Sequence, residues 1–231
     1  TLVNSGNITS GRNTTLTAAG IQSGSSGVIG AGIQSDGTPG SAGDLHITST
    51  GALAANGTNL AAGSATFQGG SVDLSASKTS GANVSIAAIR GDVNTSKAVI
   101  TTPGKLNLSA TGAVSNTEGT LGSNGGTTVD AASLSNASGT IVAVAGDLRV
   151  TTNGMTDNTS GNLLASGALG LLIGFAVPVL GTAAAIGLVL YFIGALSAHL
   201  RVRDPGIGGA VSFLVLAVAA LIAGLGYHNQ W

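Results

Sequence analysis

Seven short strings in the first two thirds of the chain place apolar residues two apart: Thr14–Ala18, Asp44–Thr48, Ser71–Ser75, Asn83–Ala87, Lys105–Ser109, Thr127–Ala131 and Asp147–Thr151. That period sets Leu106 and Leu108 on one face of a strand and Lys105, Asn107 and Ser109 on the other, the mark of a half-buried strand. The anchors fall at residues 16, 45, 72, 84, 106, 129 and 148. The late intervals of 22, 23 and 19 residues fit one turn of a β-solenoid, whereas a hairpin meander repeats every 8–12 residues or so. In a solenoid successive turns stack about 4.8 Å apart and each backbone bonds to the turns above and below, so small residues suffice inside. Seven or eight turns make a rod of about 35 Å. The sequence carries no recognisable cap at either end of it.

The composition suits this coil. The chain of 231 residues holds 38 glycines and is 7% charged and 3% aromatic, and Phe67 is the only aromatic residue before Leu163. Glycine at corners supplies positive φ, and Asn or Ser repeated up the stack can satisfy corner backbone groups. Disorder is the competing reading of a Ser/Thr/Gly/Asn-rich segment. The regular placement of Leu, Val and Ile on one strand face argues against it, and Ile21–Gly43, which lacks clear alternation, is the stretch expected to loop out. With no cysteine there is no disulfide, thiol nucleophile or thiolate metal site. A net charge of −1 without a basic run excludes the electrostatic footprint that nucleic acid needs. The chain opens on Thr1 without a secretory signal, as a segment of something longer would.

Phrases such as Gly104-Lys105-Leu106-Asn107-Leu108-Ser109-Ala110-Thr111-Gly112-Ala113-Val114-Ser115-Asn116 and Leu2-Val3-Asn4-Ser5-Gly6-Asn7-Ile8 resemble the haemagglutinin repeats of filamentous-haemagglutinin and contact-dependent-inhibition exoproteins. Those are bacterial two-partner-secretion proteins. Over residues 1–160 the resemblance implies a right-handed parallel β-helix that extends from a bacterial surface as an adhesin or as a stalk carrying a toxin. Its partner is then a ligand on a host or neighbouring-cell surface.

The last third differs in kind. Of the 17 charged residues only Arg201, Arg203 and Asp204 follow Asn162. Residues 179–200 form an uncharged run of 22, about 33 Å as a helix, and residues 207–226 a run of 20, about 30 Å; both match a hydrocarbon core. The turn between them, His199 to Gly206, holds Pro205 and charges that cost roughly 2.5–3.5 kcal/mol each at mid-bilayer, so it is placed at an interface. The short apolar segment 163–177 ends at Pro178. If it does not span, the positive-inside rule places the β-rich part outside the cytoplasm. The phrases Gly167–Gly174, Gly187–Ala195 and Ala198–Asp204 resemble the second half of a DoxX-like membrane protein, a small four-helix integral membrane family, over residues 166–225. The family's first helix and most of its second have no counterpart.

The sequence therefore predicts a mixed architecture: a β-solenoid over 1–162, then a membrane region over 163–231 with a transmembrane α-helical hairpin at 179–200 and 207–226. No enzyme, metal or cofactor chemistry is predicted. Gly27, Gly30 and Gly32 lack the helix that a phosphate cradle needs, the aspartates stand singly, the histidines 46, 199 and 228 are far apart, and no nucleophile elbow occurs. The candidate contacts are His199, Arg201, Arg203 and Asp204, beside membrane lipid, where ionisable groups bind headgroups or anionic ligands; the plainer reading makes them topogenic charges. The expected function is a non-enzymatic adhesin-type surface stalk with a helical membrane anchor. The alternative places activity in the DoxX-like part, with the two parts an artificial or misassembled fusion.

Overall fold

The structure, a computed structural model, describes residues 1–34, 37–38, 40 and 42–165, together with Val189, Ile193, Val211, Leu214, Val215, Ala217 and Val218. The chain divides into two compact units, Thr1–Gly167 and Ala168–Trp231. In the second unit the seven described residues are helical. Among the described residues no helix is long and apolar enough to cross a membrane. The expected spans 179–200 and 207–226, apart from those seven residues, lie outside the described residues.

The first unit is a parallel β-solenoid of about eight turns. Each coil contributes a strand to each of three sheets, A, B and C, in chain order. Sheet A runs from Leu2–Asn4 to Thr156–Asp157 in eight strands, sheet B from Asn7–Ser10 to Asn162–Ala165 in eight, and sheet C from Thr14–Ala18 to Leu148–Thr152 in seven. All pairings are parallel, and each joins a strand to its equivalent in the adjacent coil. Six of the seven alternating strings are sheet C strands; Ser71–Ser75 overlaps a sheet A strand instead.

Register turns the sequence pattern into continuous core rows. In sheet A the inward row reads Leu2, Ile21, Leu53, Val72, Val93, Val114, Leu134 and Thr156. In sheet C it reads Leu16, Ile47, Phe67, Ile86, Leu108, Val129 and Val150. Because a slip of one residue would turn every such side chain outward, the aliphatic rows fix the pairing. Phe67, the largest fully buried side chain, shares its coil with buried Ala55 and Ala65, whose small volumes leave the cross-section for its ring.

The sheet B row is interrupted. It reads Ile8, Ile29, Asn59, Thr79, Ile100, Leu121, Ile141 and Leu163. Asn59 Nδ2 donates to Thr79 Oγ1 at 3.1 Å and to Ala55 O at 3.0 Å. Its Oδ1 is buried with no hydrogen-bond partner among the described residues.

The corner between sheets A and B carries a polar ladder. Asn116 and Asn136 are both fully buried. Asn116 Nδ2 donates to Asn136 Oδ1 at 2.7 Å, Asn136 Nδ2 donates to Asn158 Oδ1 at 2.6 Å, and Thr95 Oγ1 donates to Asn116 Oδ1 at 3.0 Å. Each asparagine also donates to the carbonyl three residues on, Gly119, Gly139 or Gly161. The residue two after the ladder position adopts the left-handed conformation in five successive coils: Ala76, Lys97, Glu118, Ser138 and Ser160 have φ between 55° and 60°. That conformation costs a non-glycine residue of order 1 kcal/mol, which the repeated corner bonds offset. Gly139 is required for space, since a Cβ there would collide with Asn116 O of the previous coil.

Two expectations are corrected. Ile21–Gly43 does not loop out as a whole: Ile21–Ser23 and Val28–Ala31 are strands, and the excursion is confined to residues 32–44. The apolar segment placed at 163–177 begins too early. Asn162–Ala165 is a sheet B strand in which Leu163 pairs with Ile141 and packs on the core, so the onset of apolar residues at Leu163 belongs to strand alternation. The rest of that segment lies outside the described residues.

Replacing Asn136 by Ala removes three donated bonds and the bond it accepts from Asn116, whose amide keeps Gly119 O; we expect a loss of about 2–4 kcal/mol, read as a lower urea midpoint. The triple change Ser77→Ala, Asn59→Leu and Thr79→Val removes an unsatisfied buried group together with the two hydroxyls bonded in the same row. It is expected to leave the midpoint unchanged or to raise it.

Candidate functional site

The predicted cluster His199, Arg201, Arg203 and Asp204 lies outside the described residues. In the solenoid, several of the aspartates weighed from sequence cap backbone N–H groups. Asp44 Oδ1 accepts the Ser64 N–H at 2.8 Å and Asp92 Oδ1 the Ala113 N–H at 2.7 Å, each across one coil step. Asn13 and Asn83 accept backbone N–H groups in the same way, from Asp44 at 2.9 Å and Lys105 at 3.0 Å. Carboxylates and amides of equivalent length are interchangeable in this task, which accounts for Asp44 and Asp92. Among the described residues no three metal-ligating groups come together. His46 lies exposed on the outer face of sheet C between Thr15 and Thr66.

The glycines of the Gly27-x-x-Gly30-x-Gly32 phrase have separate jobs. Gly27 lets the corner pack on Ser23 and Asn4, Gly30 lies within a strand rather than a turn, and Gly32 takes φ of 69° where the chain leaves the coil. Among the described residues no helix follows the phrase.

Charge on the outer surface is sparse. Lys97 Nζ and Glu118 Oε2 stand 3.8 Å apart at stacked left-handed corners, both well exposed, an arrangement that adds little stability. Asp157 caps the last described A–B corner: its Oδ1 accepts the Thr159 hydroxyl at 2.7 Å and the Thr159 N–H at 2.9 Å. Those two bonds, the hydroxyl first, hold its carboxyl below the ordinary aspartate value.

The concave surface lies beside the B–C corner. A shallow groove of about 640 Å³ follows the corner from Gly40 to Val144 over a floor of small residues such as Ala62, Gly81 and Ala82, with Thr101, Thr102 and Asn124 as polar walls. A second hollow of about 670 Å³ lies on the outer face of sheet B where the 32–44 excursion folds back. Sequence reasoning marked this stretch only as irregular. What it lacked was the register that brings Thr9, Gly30 and Leu60 into one outer row.

With this geometry in view, comparison with known proteins gives two kinds of similarity. Toxin CdiA of Yersinia pestis is 46% identical over 114 residues, 49% of this chain and 3% of that protein. The tRNA nuclease CdiA-2 of Burkholderia pseudomallei is 44% identical over 110 residues, 47% of this chain and 4% of that protein. The chain thus spans only a few per cent of the length of these relatives. Separately, the model of the DoxX-like family matches residues 158–222, starting within the last described coil. No solved structure matches the chain.

Thr159→Val removes the hydroxyl that contributes most to the lowered pKa of Asp157, and NMR titration is expected to show the midpoint rising towards the ordinary value near 4. Because the folded value is the depressed one, the cap contributes above the unfolded pKa and is lost as pH falls through the folded one. The protection factor of the Thr159 amide, taken relative to its intrinsic exchange rate at each pH, should therefore fall only in acid. About half of the chain is similar to these two CdiA proteins, and the first unit of the chain is a parallel β-solenoid.

Proposed function

We propose that the chain is a stalk segment of a bacterial surface exoprotein, non-enzymatic in itself, that displays an adhesin-type surface and is tethered by a helical membrane anchor. The observation that carries this reading is the unbroken register of the three sheets, supported by similarity to two CdiA proteins. Backbone pairing between coils makes a rod whose length grows by about 4.8 Å per coil at a cost of some twenty residues. Such a rod projects whatever it carries away from a surface. Near-absent charge on the solenoid leaves attachment to amide, hydroxyl and small apolar groups, which suits a ligand on a host or neighbouring cell.

The anchor rests on the uncharged runs 179–200 and 207–226 and on the DoxX-like match. We place the start of the membrane region after Ala165, with His199, Arg201, Arg203 and Asp204 at the lipid interface. A second reading is favoured by the same match: the C-terminal part performs a DoxX-like membrane function and the solenoid is a passenger, joined to it naturally or by misassembly. The overlap of the match with the strand Asn162–Ala165 is the observation behind it.

Protease treatment of the full chain in sealed inverted vesicles separates the readings. Protection of the Thr1–Asn162 part, with adhesion that survives the Arg201→Ala, Arg203→Ala double change once insertion is intact, is the expected result. Digestion of that part in such vesicles, together with loss of a membrane activity in the double variant, would sink the stalk reading in favour of the second.

A further inference from the structure

The stack of coils is not uniform along its length. Every other step of the sheet B row sets at least one aliphatic side chain against its neighbour, but Asn59 meets Thr79. Ser77 lies beside them, its hydroxyl 3.2 Å from that of Thr79, and all three residues are buried. Asn59 Nδ2 reaches across the step to Thr79, whereas Asn59 Oδ1 has no partner among the described residues. An acceptor in that position bears its full desolvation cost until water reaches it.

The A–B corner changes type at the same boundary. The connection is two residues long at 56–57, in the coil 52–69, and four residues long at 74–77, 95–98, 116–119, 136–139 and 158–161, in the five coils that follow. Within those five the corner backbones bond to one another: Ala76 N donates to Ser96 O at 2.9 Å, Lys97 N to Thr117 O at 3.0 Å, Glu118 N to Ala137 O at 3.0 Å and Ser138 N to Thr159 O at 2.9 Å. These donors are the left-handed corner residues, which among the described A–B corners begin at Ala76. Towards the coil 52–69 the corner is met by a side chain instead, Asn56 Nδ2 on Ser75 O and Ser75 Oγ.

We propose that this boundary is a seam: the native rod opens between the coils 52–69 and 71–88, and the five coils from 71 to 165 hold as one block. Opening there admits water to Asn59, Ser77 and Thr79 together and recovers the desolvation they bear when closed. One step earlier, opening uncovers Ile29 and leaves Ser77 and Thr79 buried; one step later, it uncovers Ile100 and leaves the unpaired Asn59 Oδ1 inside. In a stack whose coils touch only their neighbours, partial opening stops at the weakest interface. A rod that yields at one fixed place spares the rest of its coils. The inference goes beyond the stalk reading and stands whatever the rod displays.

Amide hydrogen exchange of the full chain tests it. Bonds that cross the seam, Ala65 N to Asn83 O, Lys78 N to Gly57 O and Ala82 N to Gly63 O, are compared with bonds two boundaries on, Leu106 N to Gly126 O, Thr120 N to Ala98 O and Gly125 N to Gly104 O. Protection factors lower by about tenfold or more at the seam are expected. The change Ser77→Ala, Asn59→Leu and Thr79→Val, which makes the row aliphatic, should bring the two sets together. A reversible staple gives a second arm, because the chain has no cysteine and Thr66 pairs in register with Ser85 across the seam. In Thr66→Cys with Ser85→Cys, oxidation should raise the protection of Lys78 and Ala82 by about tenfold and reduction should return it. The same staple at Asn107 and Thr128 should leave those two amides unchanged. Equal protection at the two boundaries, a smooth fall towards Thr1 with no step at the seam, or a seam staple without effect on Lys78 and Ala82 would overturn the proposal. So would a folded triple variant that keeps the difference, and the staple decides the matter if that variant does not fold.

Discussion

Each coil of the solenoid is held by the amide and carbonyl groups of its neighbours, and this pairing recurs on three sides of the rod. Its consequence is that every inward position becomes a row. A residue need not fill a core alone, because identical positions one coil up and one coil down supply its packing partners. This is why a chain with a single aromatic residue before its last third can be fully buried at Phe67, Ile86 and Leu108 without a thick hydrophobic layer. Rows also make errors costly, since a slip at one coil is inherited by the next.

The same geometry governs polar groups. In the A–B corner the asparagine ladder satisfies buried amides and the carbonyls of the turn together, and its spacing matches the left-handed corner residues that recur beside it. At the B–C corner single Asp or Asn side chains reach one coil up to cap a backbone N–H. The sheet B interior departs from this economy: Asn59 and Thr79 bond to each other across a coil boundary but leave Asn59 Oδ1 without a partner. A polar pair in an aliphatic row weakens that coil interface relative to its neighbours.

The surface of the solenoid changes where the repeat fails. Regular coils present shallow, sparsely charged faces, whereas a hollow lies on the outer face of sheet B beside the longer connection that follows Ala31. Similarity to CdiA proteins extends over about half of the chain, and the DoxX-like match covers residues 158–222.

The amino-acid sequence by itself determined the solenoid, because sheet C strands are five residues long and alternate through three inward positions, enough for Leu106 and Leu108 or Val84 and Ile86 to declare a face. It also declared two architectures through the abrupt loss of charge after Asn162. Apart from Ser71–Asp73, sheets A and B stayed hidden, since strands of two to four residues scarcely show a period, and Ala65–Gly69 escaped because alanine and glycine are too small to read as apolar although Phe67 sits between them. Only the tertiary structure decided that Leu163 belongs to a strand, since its apolar character is shared by a strand interior and a membrane segment and the pairing with Ile141 distinguishes them. It alone decided, too, that Ile33 returns to the sheet beside Asn7, because that neighbourhood depends on the absence of a side chain at Gly30 one coil away from Thr9.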